Sequence, residues 1–75
     1  MSRLHRVSGN ETIRALESLG FVQVRKRGSH VVLKKTTNSG TIGCVIPLHK
    51  ELALGTIRGI LRQAGVSVDD FQDAL

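Results

Sequence analysis

The chain has 75 residues, 40% of them hydrophobic, which suits one small globular domain but neither a nucleotide-binding α/β enzyme nor a barrel. A single cysteine excludes an internal disulfide framework and a cysteine-based zinc cage. Eleven Lys and Arg against six Asp and Glu give a net charge of +5, which favours a polyanionic partner.

Targeting and membrane signals are missing from the sequence pattern. No apolar run approaches the roughly 20 residues that a membrane-spanning helix needs. Residues 1–6 contain no apolar core of a signal peptide. We therefore expect one reduced, cytoplasmic domain that covers residues 1–75.

The first predicted helix covers about residues 9–19. Ser8 is a favourable N-cap residue, and Glu11 completes a capping box because its side chain can reach back to the Ser8 amide. Gly20 follows as a left-handed terminator. The apolar residues that recur at helical spacing are Ile13, Leu16 and Leu19.

Three short strands are predicted next, because β-branched and apolar residues alternate with polar ones. The predicted strands are 21–26, 30–35 and 41–46. Polar, glycine-containing turns connect them, at 27–29 and 36–40, and Pro47 ends the third strand. Such short connections predict an antiparallel sheet in meander order.

Two helical segments end the chain. The first covers about residues 55–64 and is closed by Gly65. Ser67 then caps a short last turn of helix that carries Phe71, with Asp70 in its first turn. The predicted architecture is α+β in the order α-β-β-β-α, with both main helices on one face of the sheet.

Side-chain alternation assigns each strand residue to one of two faces. The residues expected to face the helices are Val22, Val24, Val31, Leu33, Ile42, Cys44 and Ile46. The residues expected on the open face are Gln23, Arg25, Arg27, His30, Val32, Lys34, Thr41, Gly43 and Val45. This interpretation places His30 near the centre of a basic face, and Lys26 and Lys35 at the rim of the covered face.

His30 is the residue whose chemistry and surroundings best suit catalysis. A neutral imidazole can take a proton from a ribose 2′-hydroxyl near pH 7. The nearby cations Arg25, Arg27 and Lys34 can stabilise the charge that develops on the attacked phosphate without a metal ion. The alternative is a strand histidine with no catalytic role.

Three further residues carry weaker signals. His49 follows the third strand and is either a second proton-transfer group or an inert loop histidine. Ser29 can hydrogen-bond a phosphate or simply stabilise its turn. Cys44 alternates with apolar residues, which is typical of a core residue and not of a nucleophile.

Other site classes find no support in the pattern. The sequence has no glycine-rich phosphate loop that ends in Lys-Ser/Thr, no nucleophile elbow and no carboxylate cluster suited to magnesium. With Phe21 and Phe71 as its only aromatic residues, it also lacks the stacking platforms of single-strand readers. We expect no cofactor and no metal site, so a nuclease of this sequence would be metal-independent.

Five segments form a recognisable pattern in a fixed order and spacing: 8–11, 15–21, 28–30, 46–52 and 55–65. Together they resemble the HicA family of mRNA interferase toxins. The resemblance implies a double-stranded-RNA-binding-domain-like fold, with His30 as the catalytic residue and cleavage of mRNA as the activity. It also implies a HicB-type antitoxin that covers the active face. The family's Pro-x-His at the strand exit falls on Pro47 and His49.

Two other interpretations remain open at this point. The chain can be an RNA-binding module that holds structured nucleic acid by shape and charge without cutting it. It can also be an inactive relative that binds only an antitoxin.

Overall fold

A computed structural model of the chain describes residues 4–75. Met1, Ser2 and Arg3, which belong to the N-terminus predicted to lack a signal peptide, lie outside the described residues. The elements are α1 (Gly9–Ser18), β1 (Val22–Arg27), β2 (His30–Thr37), β3 (Gly40–Pro47), α2 (Leu54–Ala64) and α3 (Val68–Ala74). The predicted α+β class and α-β-β-β-α order are confirmed. None of the helices within residues 4–75 combines the length and the apolar composition that a membrane span requires.

The predicted helix caps are present. The Glu11 amide donates to Ser8 Oγ and the Ser8 amide donates to the Glu11 carboxylate, both at 2.9 Å, which is a complete capping box. These hydrogen bonds lower the pKa of Glu11. Gly65 ends α2 at φ +68°, and Ser67 Oγ accepts from the Asp70 amide at 3.0 Å at the start of α3.

The sheet is antiparallel, with β2 between β1 and β3. One face of the sheet packs against the helices. The sheet residues buried there are Val31, Leu33, Cys44 and Ile46, and the largest helical side chains fully buried with them are Leu16, Ile57 and Phe71. The core therefore takes its sheet residues from β2 and β3, and β1 contributes exposed side chains only.

Leu52 is a core residue that the sequence pattern did not predict. It lies between β3 and α2, its side chain is only 1% exposed, and its amide donates to the Val7 carbonyl oxygen at 2.8 Å. This bond holds the loop against the segment before α1. The Arg6–Glu51 ion pair across the same junction, at 3.2 Å, is exposed and contributes little stability.

A β-bulge interrupts β1. Gln23 pairs with Leu33 and Arg25 pairs with Val32, so Val24 is an extra residue without a partner in β2. A bulge of this kind bends the strand and reverses the alternation of side chains beyond it. Side chains before the bulge and side chains after it therefore alternate between the two faces of the sheet in opposite order.

The bulge makes part of the predicted face assignment wrong. Val22 and Val24 were expected to face the helices, but they are 62% and 52% exposed, and Gln23 lies on the helix side instead of the open side. The prediction failed because it applied one alternation along the whole strand. Arg25 and Arg27 still lie on the open face, as predicted, because they follow the bulge.

Gly9 allows α1 to approach the end of β3 closely. Its amide donates to the His49 carbonyl oxygen at 2.9 Å. A Cβ atom added at Gly9 would overlap the Pro47 carbonyl oxygen, which belongs to the backbone and cannot rotate away. The start of α1 and the exit of β3 can meet in this way only with glycine at position 9.

We expect Gly9→Ala to lower the free energy of unfolding by about 1–3 kcal/mol, because the overlap forces the backbone apart. The matched control is Gly59→Ala in α2, where an added Cβ meets nothing within 4 Å. That change should raise stability by roughly 0.5–1 kcal/mol, since alanine favours helix. Urea denaturation of both variants checks this, and equal stabilisation by both would contradict the close approach.

Candidate active site

His30 is the first residue of β2 and lies exposed on the open face of the sheet. It pairs with Arg27 of β1 on one side and with Pro47 of β3 on the other. His30 is therefore on the central strand but at its end, and the prediction of a position near the centre of the face is wrong. One reason is that β2 continues to Thr37, beyond its predicted end.

The turn before His30 sets the pairing of His30 with Arg27. Gly28 and Ser29 form a two-residue connection between β1 and β2, and Gly28 has φ +55°. Two-residue hairpin loops with positive φ at their first position match the twist of the flanking strands. The residues on either side of such a loop face each other directly, so Arg27 and His30 are adjacent.

Four predicted site residues lie together on the open face of the sheet. We call the surface that they form the cationic face; its residues are His30, Arg25, Arg27 and Lys34. Arg27 is the nearest of the three cations to His30, since directly opposed residues have Cα atoms about 4.5–5.5 Å apart. Lys34 lies four residues along β2, or about 13 Å. Arg27 can thus reach a phosphate held at His30, whereas Lys34 is too far away and can reach only the phosphate of another nucleotide.

A shallow depression of about 310 Å³ lies on the cationic face. Its lining residues are Val24, Arg25, Val32 and Lys34. Val32 lies two residues beyond His30 on the same face of β2, about 7 Å away. The depression thus follows the strand away from His30, between two cations and two valines, and it can hold an anionic chain that continues past His30.

Backbone hydrogen bonds bring His49 to the same end of the sheet as His30. The Leu48 amide donates to the Ser29 carbonyl oxygen at 2.7 Å, and the Gly9 amide donates to the His49 carbonyl oxygen at 2.9 Å. The exit of β3 is therefore tied both to the turn before His30 and to the start of α1. The side chains of Ser29, His30 and His49 are all exposed there.

A family model of the HicA toxin of bacterial toxin–antitoxin systems matches residues 9–66, from the first residue of α1 to just beyond α2. The chain belongs to the HicA toxin family. This agrees with the resemblance found in the sequence segments. Comparison with curated proteins gave no match.

Membership of the HicA family makes the chain the toxin of a toxin–antitoxin pair, so an antitoxin is its implied partner. The match includes every candidate site residue named from the sequence. These residues are Arg25, Arg27, Ser29, His30, Lys34 and His49. Helix α3 lies outside the match, although its Phe71 completes the core.

Lys35 has a structural role in this HicA-family fold. Its ammonium donates to the Leu19 carbonyl oxygen at 2.8 Å, at the end of α1, and lies 5.8 Å from the centre of the Phe21 ring. Both contacts are favourable for a cation. The predicted position of Lys35 at the rim of the covered face is confirmed. Its ammonium group makes contacts within the fold, to Leu19 and Phe21.

Cys44 is a core residue, as predicted. It is 3% exposed, and burial raises the pKa of its thiol to about 11. A thiol must ionise to act as a nucleophile. Cys44 therefore takes no part in the chemistry of the open face, and the candidate chemistry rests on the histidines.

The raised pKa of Cys44 predicts a pH dependence of stability. The thiol stays protonated in the folded protein up to about pH 11, against 9.0 for an unperturbed thiol. Its contribution to the unfolding free energy is complete below about pH 9 and is lost as the pH rises towards about 11. From about pH 9 to about pH 11, the free energy of unfolding of wild type should fall by roughly 2–3 kcal/mol more than that of Cys44→Ala, as measured by denaturant titration. Parallel declines would contradict the burial of this thiol.

Proposed function

We propose that the chain is a metal-independent endoribonuclease toxin that cleaves mRNA in the cytoplasm. The observation that carries this proposal is the direct pairing of an exposed histidine, His30, with Arg27 on a sheet face that also bears Arg25 and Lys34. Membership of a toxin family supports an activity directed at the host cell.

His30 acts as the general base in the proposed reaction. Its imidazole takes the proton of a ribose 2′-hydroxyl, and the 2′-oxygen attacks the adjacent phosphorus. The bond from phosphorus to the 5′-oxygen breaks, and His30 returns the proton to that oxygen. The products are a 2′,3′-cyclic phosphate and a free 5′-hydroxyl. Ser29 lies next to His30 and can donate a hydrogen bond to the same phosphate.

The cations of the face have separate roles. Arg27 lies opposite His30 and can stabilise the negative charge that develops on the phosphate oxygens. Arg25 and Lys34 border the depression that leads away from His30, so they can bind the phosphates of neighbouring nucleotides. His49, at the same end of the sheet, is the candidate for an auxiliary proton-transfer group.

We propose a HicB-type antitoxin as the partner that silences the toxin by covering the cationic face. A face that attracts RNA phosphates also attracts an acidic protein surface. Exposed valines, Val22, Val24 and Val45, lie among the cations and can supply apolar contact area to such a partner.

The second candidate function is RNA binding without cleavage. The cations and the adjoining depression would hold phosphates in the same way whether or not His30 transfers a proton. This function predicts binding to duplex RNA that weakens steeply with salt, and recovery of intact RNA after long incubation.

The cleavage proposal predicts that His30→Ala lowers the rate of RNA cleavage by about 10²–10⁴-fold, because the general base is lost. Cleavage by wild type should continue in EDTA and should yield 2′,3′-cyclic phosphate ends. His30 is exposed, so the variant should keep its stability to within about 0.5 kcal/mol.

The matched control for this experiment is His5→Ala. His5 is also exposed but lies before α1, outside the family match, and its removal should leave the cleavage rate unchanged. Full cleavage by folded His30→Ala would exclude the catalytic assignment. Intact RNA with undiminished binding by wild type would favour the non-catalytic module.

The antitoxin proposal predicts that a photo-crosslinker at Val32, in the middle of the cationic face, captures a HicB-type protein co-expressed with the toxin. Val32 is only partly buried and borders the depression. A crosslinker at Gln63, exposed on α2, serves as the control and should capture none. Capture from Gln63 alone would place the antitoxin on the helical side.

A further inference from the structure

A second polar depression lies on the other side of β1 from the cationic face, between that strand and α1. We call it the α1–β1 groove. Its volume is about 200 Å³. Asn10 and Arg14 of α1 and Gln23 and Lys26 of β1 supply its polar groups, above a floor that includes Val31 and Leu48.

The charges around the groove suit an anion. Arg14 and Lys26 contribute two cations, and no carboxylate lines the groove. Glu11 lies three residues before Arg14 on α1, and its carboxylate accepts the Ser8 amide as part of the helix cap. The hydrogen bonds with Ser8 and, less strongly, the charge of Arg14 lower the pKa of that carboxylate, but the one ion pair within 4 Å among residues 4–75 joins Arg6 to Glu51, so neither groove cation is held in a direct ion pair.

The bulge at Val24 creates this arrangement. It places Gln23 and Lys26 on the helix side of β1, while Arg25 and Arg27 lie on the open side. The strand therefore carries hydrogen-bond donors on both of its faces. A polyanion that passes over the free edge of β1 would meet cations before and after the edge.

The size of the groove restricts what it can hold. Small-molecule sites usually have volumes of about 300–1,000 Å³, so a groove of about 200 Å³ is too small for a whole nucleotide. A phosphate group is smaller, and Arg, Lys and amide side chains are its usual partners.

The groove adjoins the proposed site of cleavage. Val31 in its floor directly follows His30, and the amide of Leu48 donates to the Ser29 carbonyl oxygen at 2.7 Å. An RNA strand held at His30 thus needs to pass only the end of β1 and its turn to reach the groove.

We propose that the α1–β1 groove binds a backbone phosphate of the RNA, on a nucleotide that flanks the one cleaved at His30. This inference rests on the proposed ribonuclease function for its ligand. It predicts that the toxin binds RNA on both faces of β1. RNAs long enough to reach the α1–β1 groove should therefore bind more tightly than short ones.

The test uses the full chain with His30→Ala, so that the RNA stays intact, and compares it with the same chain carrying Arg14→Gln and Lys26→Gln. Loss of two charge-assisted contacts should weaken binding of a long single-stranded RNA by roughly tenfold or more. The salt dependence of binding should become shallower, because fewer counterions are released. Binding of a dinucleotide, which cannot span both faces, should not change.

The matched control carries Arg58→Gln and Arg62→Gln, which remove two exposed cations of α2 outside the groove. An equal loss of RNA binding in this control would overturn the proposal, because charge alone would then explain the effect. Unchanged RNA binding in the groove variant would also overturn the proposal. This includes the case in which the groove variant loses binding of the antitoxin but keeps binding of RNA. If wild type with intact His30 binds RNA without cutting it, the proposed function fails, and the groove variant still tests the groove.

Discussion

The pairing between β1 and β2 is the constraint on which the candidate site depends. A two-residue turn at Gly28 and Ser29 places Arg27 opposite His30, and the bulge at Val24 then absorbs one residue further along. Between these two features, β1 presents Arg25 and Arg27 to the open face and Lys26 to the helix side. A strand without the bulge could not keep both this order of cations and the exposed position of Val22.

The core explains why the other face of the sheet is free for function. A domain of this size buries only a modest core, and the helices cover one face of β2 and β3, where Leu33 and Ile46 are fully buried. Strand alternation then leaves His30, Val32 and Lys34 on the opposite face. The close contact of Gly9 with the exit of β3 ties α1 to the end of the sheet at which His30 lies.

Much of this fold could be predicted because its signals are local. The capping box at Ser8, the terminator Gly65 and the buried position of Cys44 depend on neighbours within a few residues, and all were predicted. Leu52 was missed because it lies outside any periodic element, and its position in the core depends on long-range contacts such as the hydrogen bond from its amide to Val7. The exposure of Val22 and Val24 was missed because the bulge at Val24 reverses the alternation of side chains, and a bulge is set by pairing with β2 and not by the local pattern.

The order of elements, the basic block in the strands and the choice of His30 as the residue with suitable chemistry could all be predicted before the structure was known. These follow from composition and short-range periodicity, which need no knowledge of distant contacts. The position of His30 at the end of the sheet beside Arg27, and the groove that Lys26 and Arg14 line together, could be found only in the folded chain. Strand register and helix–strand contact join residues far apart in the chain, and a single unpaired residue such as Val24 changes which side chains meet.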